Sequence, residues 1–124
     1  MNRLLLVCLG GAAGSGARYL LAMWVTSKTD GGFPFGTLAV NVIGSFAMGL
    51  LVQIAAAHEM NETTRIFLAT GILGGFTTYS AFNEETLRFL QLGAWGPAAA
   101  NVGVTVVACL AAGFAGVAAA KAAG

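Results

Sequence analysis

Three groups of side chains in this 124-residue sequence could do chemistry, and none has the form of an enzyme centre. Thr37, Asn41 and Ser45 recur every four residues, as do Asn101, Thr105 and Cys109, so each set makes one polar stripe on a helix. The third group is the stretch GGFTTYSAF at 74 to 82: two glycines, three hydroxyls and three aromatics inside an apolar run. Hydroxyls and carboxamides at spacing four either bond neighbouring helices to one another or form a track of donors for a passing ion. Both readings stand on the stripes alone. Arg18 sits within an apolar stretch, where an arginine costs roughly 2.5 to 3.5 kcal/mol unless it snorkels to an interface or faces water. No nucleophile, base and orienting group can be assembled from these residues, so an enzyme is not expected.

The elements that must carry them follow from composition. Charged residues are 9% of the chain and hydrophobic ones 57%, too little charge to cover a soluble surface. The bilayer is the expected solvent. The net charge of +1 is scattered, with no basic run and no interleaved aromatics, which argues against nucleic acid. Cys8 and Cys109 lack a CxxC or Cys/His spacing and read as small apolar fillers, and His58 reads as a solvated loop residue. The opening MNRLLLVCLGGAAGSGAR has some features of a cleavable leader, but apolar sequence resumes from Tyr19 to Val25 and makes the whole long enough to span.

Four segments reach about 20 largely apolar residues. They run from about Leu4 to Val25, Gly36 to Ala57, Ile66 to Leu92 and Ala98 to Ala120, making residues 1–124 one all-α membrane domain of four transmembrane helices. Pro97 suits a helix start, and Trp24 and Trp95 suit the membrane interfaces. An even number of spans puts Arg3, Arg65 and Lys121 on one side, with Lys28, Arg88 and Arg18 on or toward the other. Orientation follows Lys/Arg imbalance, and three against three is none. The chain is therefore expected to insert both ways up, which permits an antiparallel homodimer; a single orientation set by the first helix is the alternative. Gly10 with Gly14, Ala12 with Gly16, Gly71 with Gly75 and Ala112 with Gly116 have the small-xxx-small spacing of close helix contact.

From Arg65 to Leu92 is too long for one straight span of ordinary tilt, and Gly74 and Gly75 with the hydroxyls after them predict a break at its centre. Unpaired backbone at that depth survives only buried in protein or lining an ion site. Tyr79 and Phe82, three apart, share one face and carry positive ring edges. Arg88 lies four and three residues after Glu84 and Glu85 and can pair with one of them.

GTLAVNVIGSFAMG at 36 to 49, TGILGGFTTYSAFNEET at 70 to 86 and GSGARYL at 14 to 20 resemble the signature segments of the Fluc/CrcB family of fluoride channels, over essentially the whole chain. The resemblance implies a dual-topology antiparallel homodimer of four-helix subunits in the bacterial cell inner membrane, with two fluoride pores and a structural sodium ion between subunits. It implies passive fluoride export. By motif, Gly74 and Thr77 supply backbone carbonyls to the sodium, Asn41 donates to fluoride, and Tyr79 and Phe82 present ring edges to the pore, with Ser80 and Thr37 adding hydroxyls. Asn101 and Thr105 fall on the family's polar track, Arg18 near a vestibule and Glu85 near a pore end. The family commonly has Phe where this chain has Tyr79, and often an aromatic hydroxyl at the place of Asn101. A small multidrug exporter, also dual-topology, would carry a carboxylate in the first span, where this chain has Arg18. A non-conducting assembly subunit would need its polar residues only for oligomer stability.

Overall fold

A computed structural model describes residues 2–124. Helix α1, Arg3–Ser27, starts where the Asn2 side chain accepts a hydrogen bond of 2.7 Å from the Leu4 N–H. Helix α2 is Phe35–Ala57 and helix α6 is Trp95–Ala123, with Pro97 in the first turn, where its missing N–H costs nothing. With 25, 23 and 29 residues, α1, α2 and α6 are each long and apolar enough to cross a bilayer, about 35 to 44 Å at 1.5 Å per residue.

The third span is composite. Helix α3, Glu62–Arg65, is capped by Asn61, whose side chain accepts from the Thr64 N–H. It continues as a π-helical segment, Ile66–Leu73, and then as helix α4, Gly74–Phe76. The chain is extended at Thr77 and Thr78 before helix α5, Tyr79–Gln91, begins. Past α5, Gly93 at φ +71° reverses the chain, with Ala94 N–H bonded to the Phe89 carbonyl and Gly93 N–H to that of Leu90. This is the expected four-span helical architecture with an interrupted third member.

The interruption differs from the sequence expectation in one respect: the glycines do not make it. Gly74 is helical, at φ −63° and ψ −37°, and the chain leaves the helix only at Thr77, ψ 156°. Gly75 serves a close approach instead, because a Cβ there would stand 2.6 Å from the Gly11 carbonyl oxygen of α1. Two helix pairs share this device. α1 packs on the π-helical segment through Gly10, Gly14 and Gly71, and α2 packs on α6 through Gly49 and Gly116, with backbone facing backbone in each case. Of the small-residue spacings, Ala12 with Gly16 takes no part in packing within the chain, since a Cβ on Gly16 would meet nothing within 4 Å.

The ends agree with an even number of crossings. Arg3 pairs with Glu62 at 3.2 Å, and the chain's last residue lies beside His58, so both termini and the 58–65 turn share one side. Large apolar side chains such as Leu20, Trp95 and Phe114 point outward, as lipid-facing residues do.

Candidate ion-path site at the helix break

The site is built around what Thr77 and Thr78 do to their neighbours' hydrogen bonds. In a continuous helix the Thr78 N–H would donate to the Gly74 carbonyl. Here it donates to Asn41 Oδ1 at 2.8 Å, and Asn41 Nδ2 donates back to the Thr78 carbonyl at 3.0 Å. The Ala81 N–H, which would go to the Thr77 carbonyl, goes to the Thr78 hydroxyl at 3.1 Å. Gly74 and Thr77 thus keep carbonyl oxygens released from their helical donors. The Gly75 carbonyl receives the Ser15 hydroxyl from α1, at 3.4 Å. Asn41 and Thr78 are both buried, so this reciprocal clip is shielded from outside donors. The break is approached through the π-helical segment, a type of departure frequent at functional sites.

Beside the break lies a cleft of about 490 Å³ between α2, α5 and α6. Its lining includes Asn41, Ser45, Thr77, Tyr79, Phe82, Thr105 and Cys109. Tyr79 and Phe82 meet edge to face, ring centroids 5.5 Å apart and planes at 69°, with Phe82 buried and Tyr79 77% exposed. One Asn41 amide hydrogen is taken by Thr78 and the other remains. The cleft therefore offers hydroxyl and amide donors and aromatic edges, with no acidic side chain among its lining residues. The rest of the lining is largely apolar, with Met48, Val106 and Leu110 beside these polar groups.

The remaining sequence candidates fall elsewhere. Arg18 and Thr37 line a second cleft of about 320 Å³, with Tyr19, Ala22 and Thr78. The Thr37 hydroxyl donates to Glu85 Oε2 at 3.0 Å, and Glu85 Oε1 is buried with no partner among the described residues. Arg88 pairs with Glu84, and among the described residues the hydrogen-bond partner of Glu85 is Thr37. Ser80 is exposed, its hydroxyl 3.2 Å from that of Thr78. Asn101 is 2% exposed and stands behind the first cleft rather than in it, donating to Thr86 Oγ1 at 2.9 Å. Among the described residues no group of three or more His, Cys, Asp or Glu could hold a metal.

Two participants were not singled out from sequence. Thr78 is the hinge of the hydrogen-bond exchange, and its signal was available, a Thr at an N-cap position just before a helical run. Thr86 gave no signal, because its importance comes from lying opposite Asn101 on another helix.

Comparison with known proteins adds the relationship. Residues 5–117 match the family described as CrcB-like protein, Camphor Resistance (CrcB). A protein of Sorangium cellulosum named fluoride-specific ion channel FluC is 48% identical over 122 residues, covering 98% of this chain and 96% of that one. One of the same name from Anaeromyxobacter dehalogenans is 52% identical over 116 residues, 93% of this chain and 92% of its own. Another from Agrobacterium fabrum is 44% identical over 120 residues, 95% of each chain.

Proposed function

The chain belongs to the CrcB family, and on that basis we propose that it is a fluoride-specific ion channel that lets fluoride leave the cytoplasm passively across the bacterial inner membrane. The observation that carries the reading is the interruption at Thr77 and Thr78, clipped open by Asn41 and facing a largely apolar cleft into which a few amide and hydroxyl groups are set. Backbone is left unpaired at such depth only where it is buried or serves an ion.

Fluoride reaches the path by the field of Arg18 and sheds water as it enters. The free Asn41 amide hydrogen, the hydroxyls of Thr105 and Ser80, and the ring edges of Tyr79 and Phe82 replace that water in turn, while the Thr37 hydroxyl keeps donating its proton to Glu85. Division among several donors keeps each site weak enough to release the ion. Chloride, larger and a poorer acceptor, gains less from the same donors. Glu85 stands near one end, its carboxylate held by Thr37. The drive is entry of the neutral acid, its dissociation in the cytoplasm and exit of the anion.

The functional unit is an antiparallel dimer with two pores. Gly74, Tyr79 and Ser80 are exposed on the single chain, and polar backbone beside them cannot face hydrocarbon. A second copy covering this surface satisfies both requirements, and the Lys/Arg balance gives insertion no preferred direction. The candidate residues lie in two clefts on one chain, which suits a path completed by a partner. A sodium ion fits the carbonyls of Gly74 and Thr77, hard oxygens relieved of their helical donors. It would tie the two breaks together, the partner's carbonyls completing its oxygen shell.

The test is growth. Expressed in a bacterium stripped of its own fluoride export, the chain should restore growth in mildly acidic fluoride medium. Folded, membrane-inserted protein that gives no rescue would sink the proposal.

A further inference from the structure

A chain of hydrogen bonds runs behind the cleft and ends at one of its lining residues. The Thr86 hydroxyl donates to the Phe82 carbonyl at 2.8 Å, which uses its only proton. It can then only accept from Asn101, and Asn101 Nδ2 donates to it at 2.9 Å. The carboxamide is thereby oriented with Oδ1 toward Thr105, whose hydroxyl donates to it at 3.4 Å. That last bond is long for O–H···O, where 2.5 to 3.0 Å is usual, and so weak. Asn101 is almost completely buried and Thr105 nearly so, yet Thr105 also lines the cleft.

We infer that Thr86 and Asn101 are positioning residues that give Thr105 a resting acceptor, so that its proton turns to fluoride when the ion arrives and returns to Asn101 when it leaves. The inference rests on the channel reading above. Three bonds set the polarity, each dictated by the one before: Phe82 carbonyl, Thr86 hydroxyl, Asn101 carboxamide. Without Thr86 as acceptor, Asn101 is free to turn its NH2 toward Thr105. The Thr105 oxygen then accepts from Asn101 and its proton points into the cleft permanently. Fluoride is held more tightly there and leaves more slowly. A donor that relaxes onto a weak internal acceptor lowers the net gain of binding, which conduction needs.

The experiment measures initial fluoride release from liposomes holding the full-length chain over a series of internal fluoride concentrations. Thr86→Val should lower the half-saturating concentration and the maximal rate together, each about tenfold, as expected for one hydrogen bond to a charged acceptor. Thr86→Ser should restore both. Asn101→Leu breaks the chain from its other end and should also lower the maximal rate. With Thr105→Val in the background, adding Thr86→Val should change nothing further. A half-saturating concentration that is unchanged or raised in Thr86→Val would overturn the inference, as would an added effect in the double variant. If Thr86→Val and Asn101→Leu both fail to fold, the bonds serve stability and the inference is also lost. Wild-type liposomes that release no fluoride would refute the channel reading instead.

Discussion

Replacing Asn41 by Leu tests whether the carboxamide holds the third span open. The change keeps the branched heavy-atom skeleton, with bulkier methyl ends, but removes an acceptor 2.8 Å from the Thr78 N–H and a donor 3.0 Å from its carbonyl, both buried. Side-chain hydrogen bonds between membrane helices average only about 0.6 kcal/mol, because their partners find substitutes. Thr78 is less free to do so. Its N–H can return to the Gly74 carbonyl only if Thr77 and Thr78 leave their extended geometry, and α5 would then be swung away from α6. Otherwise both groups remain unpaired, at about 1 to 3 kcal/mol each. The expected loss is therefore about 2 to 6 kcal/mol. Ser45→Ala is the comparison, the next member of the same stripe, whose hydroxyl has no partner among the described residues, and it should cost less than about 0.5 kcal/mol. Denaturant unfolding in detergent micelles, followed by tryptophan fluorescence, measures both. An Asn41→Leu protein within 0.5 kcal/mol, on the order of the Ser45→Ala effect, would refute the clip and return the residue to ordinary interhelical bonding.

Gly75→Ala should destabilise the chain by about 1 to 3 kcal/mol, since the new methyl meets Gly11 backbone and α1 must move; unfolding at the wild-type midpoint would contradict the close approach. Prolonged replacement of sodium by a large organic cation should abolish fluoride release and loosen the dimer, read by flux and by size-exclusion chromatography. Arg3→Ala should matter little, less than about 1 kcal/mol and less still at high salt, because the pair with Glu62 is exposed; a larger loss in thermal unfolding would mean the contact is shielded.

How much of this could be read from the residues depended on whether the cause was local. Apolar runs of sufficient length marked α1, α2 and α6 directly, and the ends differed by only a few residues. The excess length between Arg65 and Leu92 with its hydroxyls located the interruption, and spacing three brought Tyr79 against Phe82 as expected. The glycines' share in the interruption was misread because glycine's two uses look alike in a sequence: conformational freedom and the absence of a Cβ. Gly75 is there for the second, which needs Gly11 in view. The π-helical turn was illegible for the same reason, its packing against α1 being a contact between distant segments. Asn101 shares a stripe with Thr105, yet a stripe has width, and only the placement of Thr86 turns one member inward and leaves the other at the cleft.

The most direct measurement is anion release from liposomes containing only the purified chain, loaded with either fluoride or chloride and followed with ion-selective electrodes. Fluoride should leave rapidly and chloride should stay, with release from the Phe82→Ile protein slower than wild type. Equal release of both anions, or of neither from vesicles holding folded protein, would contradict the account.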